Sequence, residues 1–248
     1  MKRYLLPLVV LVLWQLGAST GVVDLRLFSS PERIALKFGE SIADGSLIES
    51  ILISLSRSFS GLFVGLLAGV ALGVANGLWR ASEETFDSSI QILRNIPVIA
   101  LTSLFIVWFG YGELSKILLI AMACFFPTYI NVFAGIRNAD NRLIEMAKTM
   151  NVKRRVIVRH ILLPAALPQA LVGLRFALTV SIFALFVAET INASSGIGFL
   201  MMQGQQFGQS DIIFMCLIIY ALFGVASDLL VRFLEQRLLS WRQEFKGN

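Results

Sequence analysis

Long apolar stretches separated by short polar ones set the plan of this chain. A hydrocarbon layer about 30 Å thick takes about 20 apolar residues per helix. Stretches of that kind lie near residues 5–20, 59–79, 90–109, 117–136, 166–190 and 212–232, so the pattern predicts an all-α membrane protein with about six spans. In the second, Gly61, Gly65, Gly69, Gly73 and Gly77 recur every four residues. Small residues at that spacing predict a helix face that another helix approaches closely. The third stretch is interrupted at Arg94-Asn95-Ile96-Pro97, where proline removes a backbone donor and turns Ile96 away from the α region. A broken helix is tolerated in a membrane where it is buried in protein or lines a cavity, which makes Asn95 a candidate for the lining. Between Pro31 and Arg57, residues Ile34, Leu36, Phe38, Ile42 and Leu47 stand among charges. An amphipathic segment lying along the outer surface is expected there.

One water-facing stretch stands out, from Glu145 to Pro168. Leu143, Ile144, Ala147 and Met150 fall at helical spacing, with Asp140 or Asn141 placed to cap the first turn. Asn151 is then positioned to take a left-handed conformation and stop the helix. A second short helix is predicted from Lys153 towards Leu163, ended or bent by Pro164 and Pro168 before the next span. Two short helices at an angle form a knob that another protein can grip.

Charge orients this plan. Arg137, Arg142, Lys148, Lys153, Arg154, Arg155 and Arg159 cluster around the knob, opposed only by Asp140 and Glu145. With a cytoplasmic N-terminus, fifteen of the 21 Lys and Arg residues fall inside: those seven with Lys2, Arg3, Arg80, Arg94, Arg232, Arg237, Arg242 and Lys246. Arg26, Arg33, Lys37, Arg57 and Lys116 fall outside or at the outer boundary, and Arg175 stays within a span. That bias predicts both termini in the cytoplasm. Lys2-Arg3, an apolar run and Gly17-Ala18-Ser19 also fit a cleaved signal peptide. Retention of the first span is expected, because Trp14-Gln15 approaches a cleavage site poorly.

Composition agrees with a bilayer environment: 56% hydrophobic and 15% charged residues leave too little polar surface for a soluble domain of 248 residues. Basic residues cluster without interleaved surface aromatics, which argues against nucleic-acid binding. Cys124 and Cys216 sit singly in apolar runs and read as small core residues, with neither a disulfide nor a metal site implied. No Gly-x-x-x-x-Gly-Lys-Ser/Thr occurs, so no nucleotide cradle is expected in this chain. Gly17-Ala18-Ser19-Thr20-Gly21 matches a nucleophile elbow formally, but the single histidine, His160, lies on the opposite side of the membrane.

Glu145-Met146-Ala147, three residues, Asn151, and later Ile161-Leu162-Leu163-Pro164 resemble the hallmark cytoplasmic motif of binding-protein-dependent ABC importer permeases. Their pattern is Glu-Ala-Ala, three residues, Gly, and then Ile-x-Leu-Pro. Met146 and Asn151 depart from it; asparagine still reaches the turn conformation at some cost. Further stretches place the likeness in the nitrate, sulfonate and taurine group, nearest the aliphatic-sulfonate permeases. These are Ser54-Leu55-Ser56-Arg57, Leu93 to Pro97, Trp108 to Glu113, Phe126 to Asn131, Gly135 to Asn138, Val187 to Ile191 and Ser195 to Gly198.

The resemblance implies a type I ABC importer permease fold in a bacterial inner membrane. Residues 1–58 would hold the N-terminal span and external segment, and residues 59–248 the permease core with its coupling segment at 137–168. It implies a second permease copy, two ATPase subunits that bind ATP and Mg, an external substrate-binding protein, and no cofactor or catalysis in this chain. Glu145, Ala147, Asn151 and Pro164 would serve ATPase coupling. The cargo expected is an aliphatic sulfonate, with taurine, nitrate or a vitamin precursor as alternatives on the same machinery. An ion-coupled secondary transporter is the rival class, but only Glu189 and Asp228 offer intramembrane carboxylates and no inverted repeat is evident.

Arg175 and Glu189, fourteen residues apart, share nearly one helix face but stand about 21 Å apart along it. Structural or gating roles are expected for both in preference to substrate contact. The stretch from Asn192 to Ser210 carries Asn192, Ser194, Ser195, Gln203, Gln205, Gln206 and Gln209 and no lysine or arginine. Amides and hydroxyls donate to an anion without holding it as a fixed cation would. A weak translocation path and a polar contact for the binding protein are equally open readings.

Overall fold

The computed structural model describes residues 5–21, 24 and 28–239. Lys2, Arg3, Arg26, Arg242 and Lys246, which entered the charge count, lie outside the described residues, as does any processing at the chain's start. Among the described residues every regular element is helical: α1 (Leu5–Ser19), α2 (Pro31–Ala43), α3 (Ser46–Leu78), α4 (Arg80–Leu93), α5 (Val98–Phe109), α6 (Glu113–Arg137), α7 (Asn141–Thr149), α8 (Arg154–Ile157), α9 (Leu163–Asn192), α10 (Ile197–Gln206) and α11 (Ser210–Leu238). A π-helical turn, Val158–Leu162, joins α8 to α9.

Among the described residues four helices are long and apolar enough to cross a membrane: α3, α6, the continuous helix from Arg154 to Ile191, and α11. The α4 and α5 pair makes a fifth if it counts as one broken span, bent by 101°. The expected third span is therefore two helices meeting at Arg94 to Pro97, where the proline-led break was read. In α1 the apolar part, Val9–Ser19, is shorter than a span within the described residues.

The second span starts earlier than its hydropathy suggested. After α2 the chain turns at Asp44 and Gly45 (φ +80), and Asp44 accepts from the Ser46 N–H and hydroxyl at 2.9 and 2.6 Å. The Ser46 bonds hold the Asp44 carboxyl below its usual value. From there α3 runs unbroken for 33 residues, straight through the division expected at residue 58. Leu47, Ser50, Ser54, Arg57 and Gly61 are all buried. The polar residues read as a surface segment form the inward face of a span. Of the expected surface segment only α2 remains, seated by buried Ile34 and Ser41 with Phe38 packed on the cluster of Leu47, Met215 and Ile219.

The glycines explain how the core closes. A Cβ on Gly61 would meet Ile120 at 2.6 Å, on Gly69 Thr128 at 2.8 Å, on Gly73 Val132 at 2.9 Å and on Gly77 Ile136 at 2.9 Å, while at Gly65 it would strike the Ala121 carbonyl. All five glycines thus face α6, and the two backbones approach without intervening side chains. Gly135 and Gly173 do the same where α6 meets α9. Cys124, fully buried, donates to the Ala177 carbonyl across that second contact at 3.4 Å.

The second short helix of the water-facing stretch does not stop at its prolines. Pro164 lacks an N–H, and its ring would clash with the carbonyl four residues back in α-helical register. The π-helical turn just before it widens the register, with Leu163 donating to Val158 five residues back. The helix therefore enters α9 unbroken and runs on past Pro164 and Pro168.

Candidate functional site

The N-terminal third of α3, the first turn of α6, the last turn of α9 and the start of α10 converge at one end of the bundle, opposite α7. Two carboxylates and two cations meet there, three of them buried and Glu113 half-exposed at the rim. Glu189 is fully buried, and Arg57 and Lys116 are each 3% exposed. Arg57 Nη1 donates to Glu189 Oε1 at 2.8 Å and to the Ser195 carbonyl at 2.6 Å. Its Nε and Nη2 grip Glu113 Oε2 and Oε1 at 2.6 and 2.7 Å, and Nη2 also reaches Ser195 Oγ at 3.1 Å. All five guanidinium N–H groups have acceptors in a planar fork that lysine could not reproduce. Lys116 Nζ adds a bond to Glu113 Oε1 at 2.8 Å. Two positive and two negative groups cancel, which is what a low-dielectric site demands.

Glu189 also completes a neighbouring helix. The residue before α10, Gly196, has no side chain to cap it and sits at φ +108. The Gly198 N–H donates to Glu189 Oε2 at 2.9 Å, and the Ile197 N–H donates to Ser54 Oγ at 2.9 Å. Ser54 in turn donates its one proton between the two Glu189 oxygens at 2.8 and 2.9 Å. A carboxylate at a helix N-terminus meets both the free N–H groups and the positive end of the dipole. Gly196 leaves no alternative, since a Cβ there would strike Glu189 Oε1 and sit 2.8 Å from Arg57 Nη1.

At the other end α7 forms the knob. Asp140 caps it, accepting from the Arg142 N–H at 2.8 Å. Asn151 is the single non-glycine residue with positive φ among the described residues, at +55°. Val152 N–H bonds to the Ala147 carbonyl and Asn151 N–H to the Lys148 carbonyl, both at 3.0 Å. That pair of bonds is a Schellman stop. Ala147 is buried, and Glu145 and Pro164 are exposed. Leu143, Met146 and Met150 are 46%, 55% and 70% exposed, so one stripe of α7 and its C-cap presents apolar surface to whatever docks there.

The remaining sequence candidates scatter. Asn95 is exposed in the α4–α5 corner and donates to the Gln91 carbonyl. Arg175 does not join Glu189: it donates to Glu235 on α11 at 2.8 Å and lies 3.9 Å from Asp228. Of the polar stretch from Asn192 to Ser210, Ser195 enters the ionic cluster, Gln203 is half-buried, and Gln205 and Gln206 are exposed on α10. The side chain of Asn192 lies outside the described residues. Expecting no cation near this stretch missed Arg57 and Lys116, which come 138 and 79 residues before Ser195 in the chain. Sequence reasoning also missed Ser54 and Glu113 as site residues. The signal was available: Ser54 to Arg57, Trp108 to Glu113, Val187 to Ile191 and Ser195 to Gly198 are stretches of the family resemblance, and all four meet here.

Among the described residues no three His, Cys, Asp or Glu side chains gather in a way that could hold a metal ion. A cavity of about 140 Å³ lies between α3, α9 and α11, apolar but for Ser58, Ser181 and Ser227.

Comparison with known proteins is consistent along the chain. Residues 61–240 match the model of the family described as "Binding-protein-dependent transport system inner membrane component". The chain is 41% identical over 247 residues to the aliphatic sulfonates transport permease protein SsuC of Bacillus subtilis (strain 168), covering 100% of this chain and 90% of that protein. It is 42% identical over 242 residues to the SsuC of Escherichia coli (strain K12), covering 98% and 92%. The taurine transport system permease protein TauC of Escherichia coli (strain K12) is 30% identical, covering 95% and 88%. In structure the chain resembles a chain of an amino acid ABC transporter crystallised with histidines, with TM-score 0.66 and 16% identity over 81% of this chain and 97% of that one.

Proposed function

This chain belongs to the family of binding-protein-dependent transport system inner membrane components, and on that premise we propose that it passes an aliphatic sulfonate across the bacterial inner membrane. As the permease subunit of an ABC importer it carries out no catalysis. A second copy completes the pathway, an external binding protein delivers the cargo, and two ATPase subunits, binding ATP and Mg, drive it. The observation that carries the cargo is the likeness of 41–42% to two permeases named for aliphatic sulfonates over nearly the whole chain.

Geometry supports the division of labour. The apolar stripe of Leu143, Met146 and Met150 on α7 suits a groove in an ATPase subunit, with Glu145 on the same exposed helix and Asn151 fixing its end. The basic residues around it support a cytoplasmic knob, with the ionic cluster of Arg57 and Glu189 at the outer end. ATPase closure would move the knob and rock the helices between outward and inward access. The test is uptake of a labelled short alkanesulfonate by proteoliposomes holding the permease, the ATPase and the binding protein. Saturable, ATP-dependent uptake is expected; import of taurine or nitrate with no uptake of alkanesulfonate would overturn the cargo.

A further inference from the structure

Arg57 is shared by two carboxylates with different surroundings, and the difference decides which bond can be exchanged. Glu189 has no exposed surface, whereas the Glu113 side chain is 56% exposed. Parting Glu189 from Arg57 would strand a buried carboxylate and disturb the cap of α10, which is strongly disfavoured. Parting Glu113 returns a half-hydrated carboxylate to water, while Arg57 keeps Glu189 and the Ser195 carbonyl. Arg57 Nε and the buried Lys116 lose an acceptor in that exchange, so it is not free, but no carboxylate is stranded and Glu113 is the less costly partner to release.

The two carboxylates also stand on different parts of the fold. Glu189 is held with Ser54 and the first turn of α10. Glu113 begins α6 directly after the Gly110 to Gly112 corner, which leads back into α5, the second half of the broken span. That corner has room to move: a Cβ on Gly110 would meet nothing within 4 Å, and one on Gly112 only the Leu114 nitrogen at 4.0 Å.

We propose that the Arg57–Glu113 pair is the outer latch of the translocation path. It parts when the outer end opens and frees the α5–α6 corner, while Ser54, Arg57, Glu189 and α10 move as one body. Arg57 and Glu113 are positioning residues for transport and not ligands of the cargo. The latch rests on the ATP-driven import reading, because ATPase closure and outer opening must be linked for it to matter.

The test uses the whole complex in lipid, measuring ATP hydrolysis per complex alone and with binding protein loaded with an alkanesulfonate. Glu113→Gln weakens the latch from an exposed position. It raises the basal rate about two- to fivefold, equivalent to about 0.4–1 kcal/mol at 1.4 kcal/mol per tenfold, and lowers the stimulation factor to match. Glu113→Asp keeps the charge but falls one methylene short of the Arg57 fork, and gives values between wild type and Glu113→Gln. A merely structural loss reduces the amount of complex and leaves this ratio alone. A Glu113→Gln complex with the wild-type ratio, or with a lower basal rate, overturns the latch and leaves the import reading standing. A wild-type complex that ignores loaded binding protein overturns the reading and the latch together.

Discussion

Arg154, which begins α8 just beyond the α7 knob, donates from Nη2 to the Leu78 carbonyl at 2.9 Å, so the segment that follows the knob is fastened to the C-terminal end of α3. The last carbonyls of a helix have no partner within it, and a cation there also meets the negative end of the dipole. Motion of the knob would thereby pass to α3, whose N-terminal half carries Ser54 and Arg57. Arg154→Met should keep the stem of the side chain and lose the bond, costing about 0.5–1 kcal/mol for an exposed helix-end contact. The expected outcome is normal recovery of the ATPase with the permease but weaker stimulation of hydrolysis by cargo. Stimulation equal to wild type would show that α3 is not driven through this bond.

At Asn151 the backbone sits at φ +55, where a side chain costs energy unless it is glycine or asparagine. Asn151→Gly should be neutral within a few tenths of a kcal/mol, since easier adoption of the turn is offset by greater freedom in the unfolded chain. Asn151→Val adds a β-branched side chain at that angle and should cost about 1–2 kcal/mol, spoiling the helix stop at Asn151. Co-purification of the ATPase subunit measures the outcome. Equal recovery with valine and glycine would contradict a functional need for this turn.

The turn at Asn151 was legible because its cause is local: an amphipathic stretch, one residue able to turn left, and a basic run after it. The glycine face was legible for a similar reason, since a spacing of four on one helix states its own geometry, although it does not say that α6 is the partner. Arg57 was not legible as a core residue. Its partners Glu113 and Glu189 lie 56 and 132 residues away, and a charged residue beside Ser54, Ser56 and Ser58 reads as surface until those partners are in place. Pro164 misled in the opposite direction, because the π-helical turn that accommodates it leaves no mark in the pattern of polar and apolar residues.

Gly65 is where α3 and α6 come nearest: an added Cβ would strike the Ala121 carbonyl and lie 2.8 Å from Cys124 Cβ. Backbone atoms cannot swing aside as side-chain ends do, so Gly65→Leu should cost at least the roughly 1–3 kcal/mol usual for overpacking. Gly39 has nothing within 4 Å of an added Cβ, and Gly39→Ala should leave stability within about 0.5 kcal/mol. Thermal unfolding in detergent compares the two. A Gly65→Leu protein as stable as wild type would mean the two helices are not in this close contact.

Glu189→Gln removes one charge with hardly any change in shape, which isolates electrostatics from packing. Glutamine offers one oxygen where the carboxylate offers two. With the oxygen towards Arg57, the amide faces the Gly198 N–H; with the oxygen towards Gly198, the amide faces Arg57 Nη1. Either way a donor meets a donor in a site closed to water, and the single Ser54 proton, now shared between both oxygens, cannot repair it. Breaking one partner of a buried pair typically costs about 3–5 kcal/mol, some of it recovered here because Arg57 retains Glu113. The expected outcome is a marked fall in thermal stability with loss of uptake. Ser54→Ala, which removes one hydroxyl and leaves both ion pairs, should fall between the variant and wild type. If Glu189→Gln folds and transports as wild type does, the carboxylate is not the cap and counter-ion that its surroundings describe.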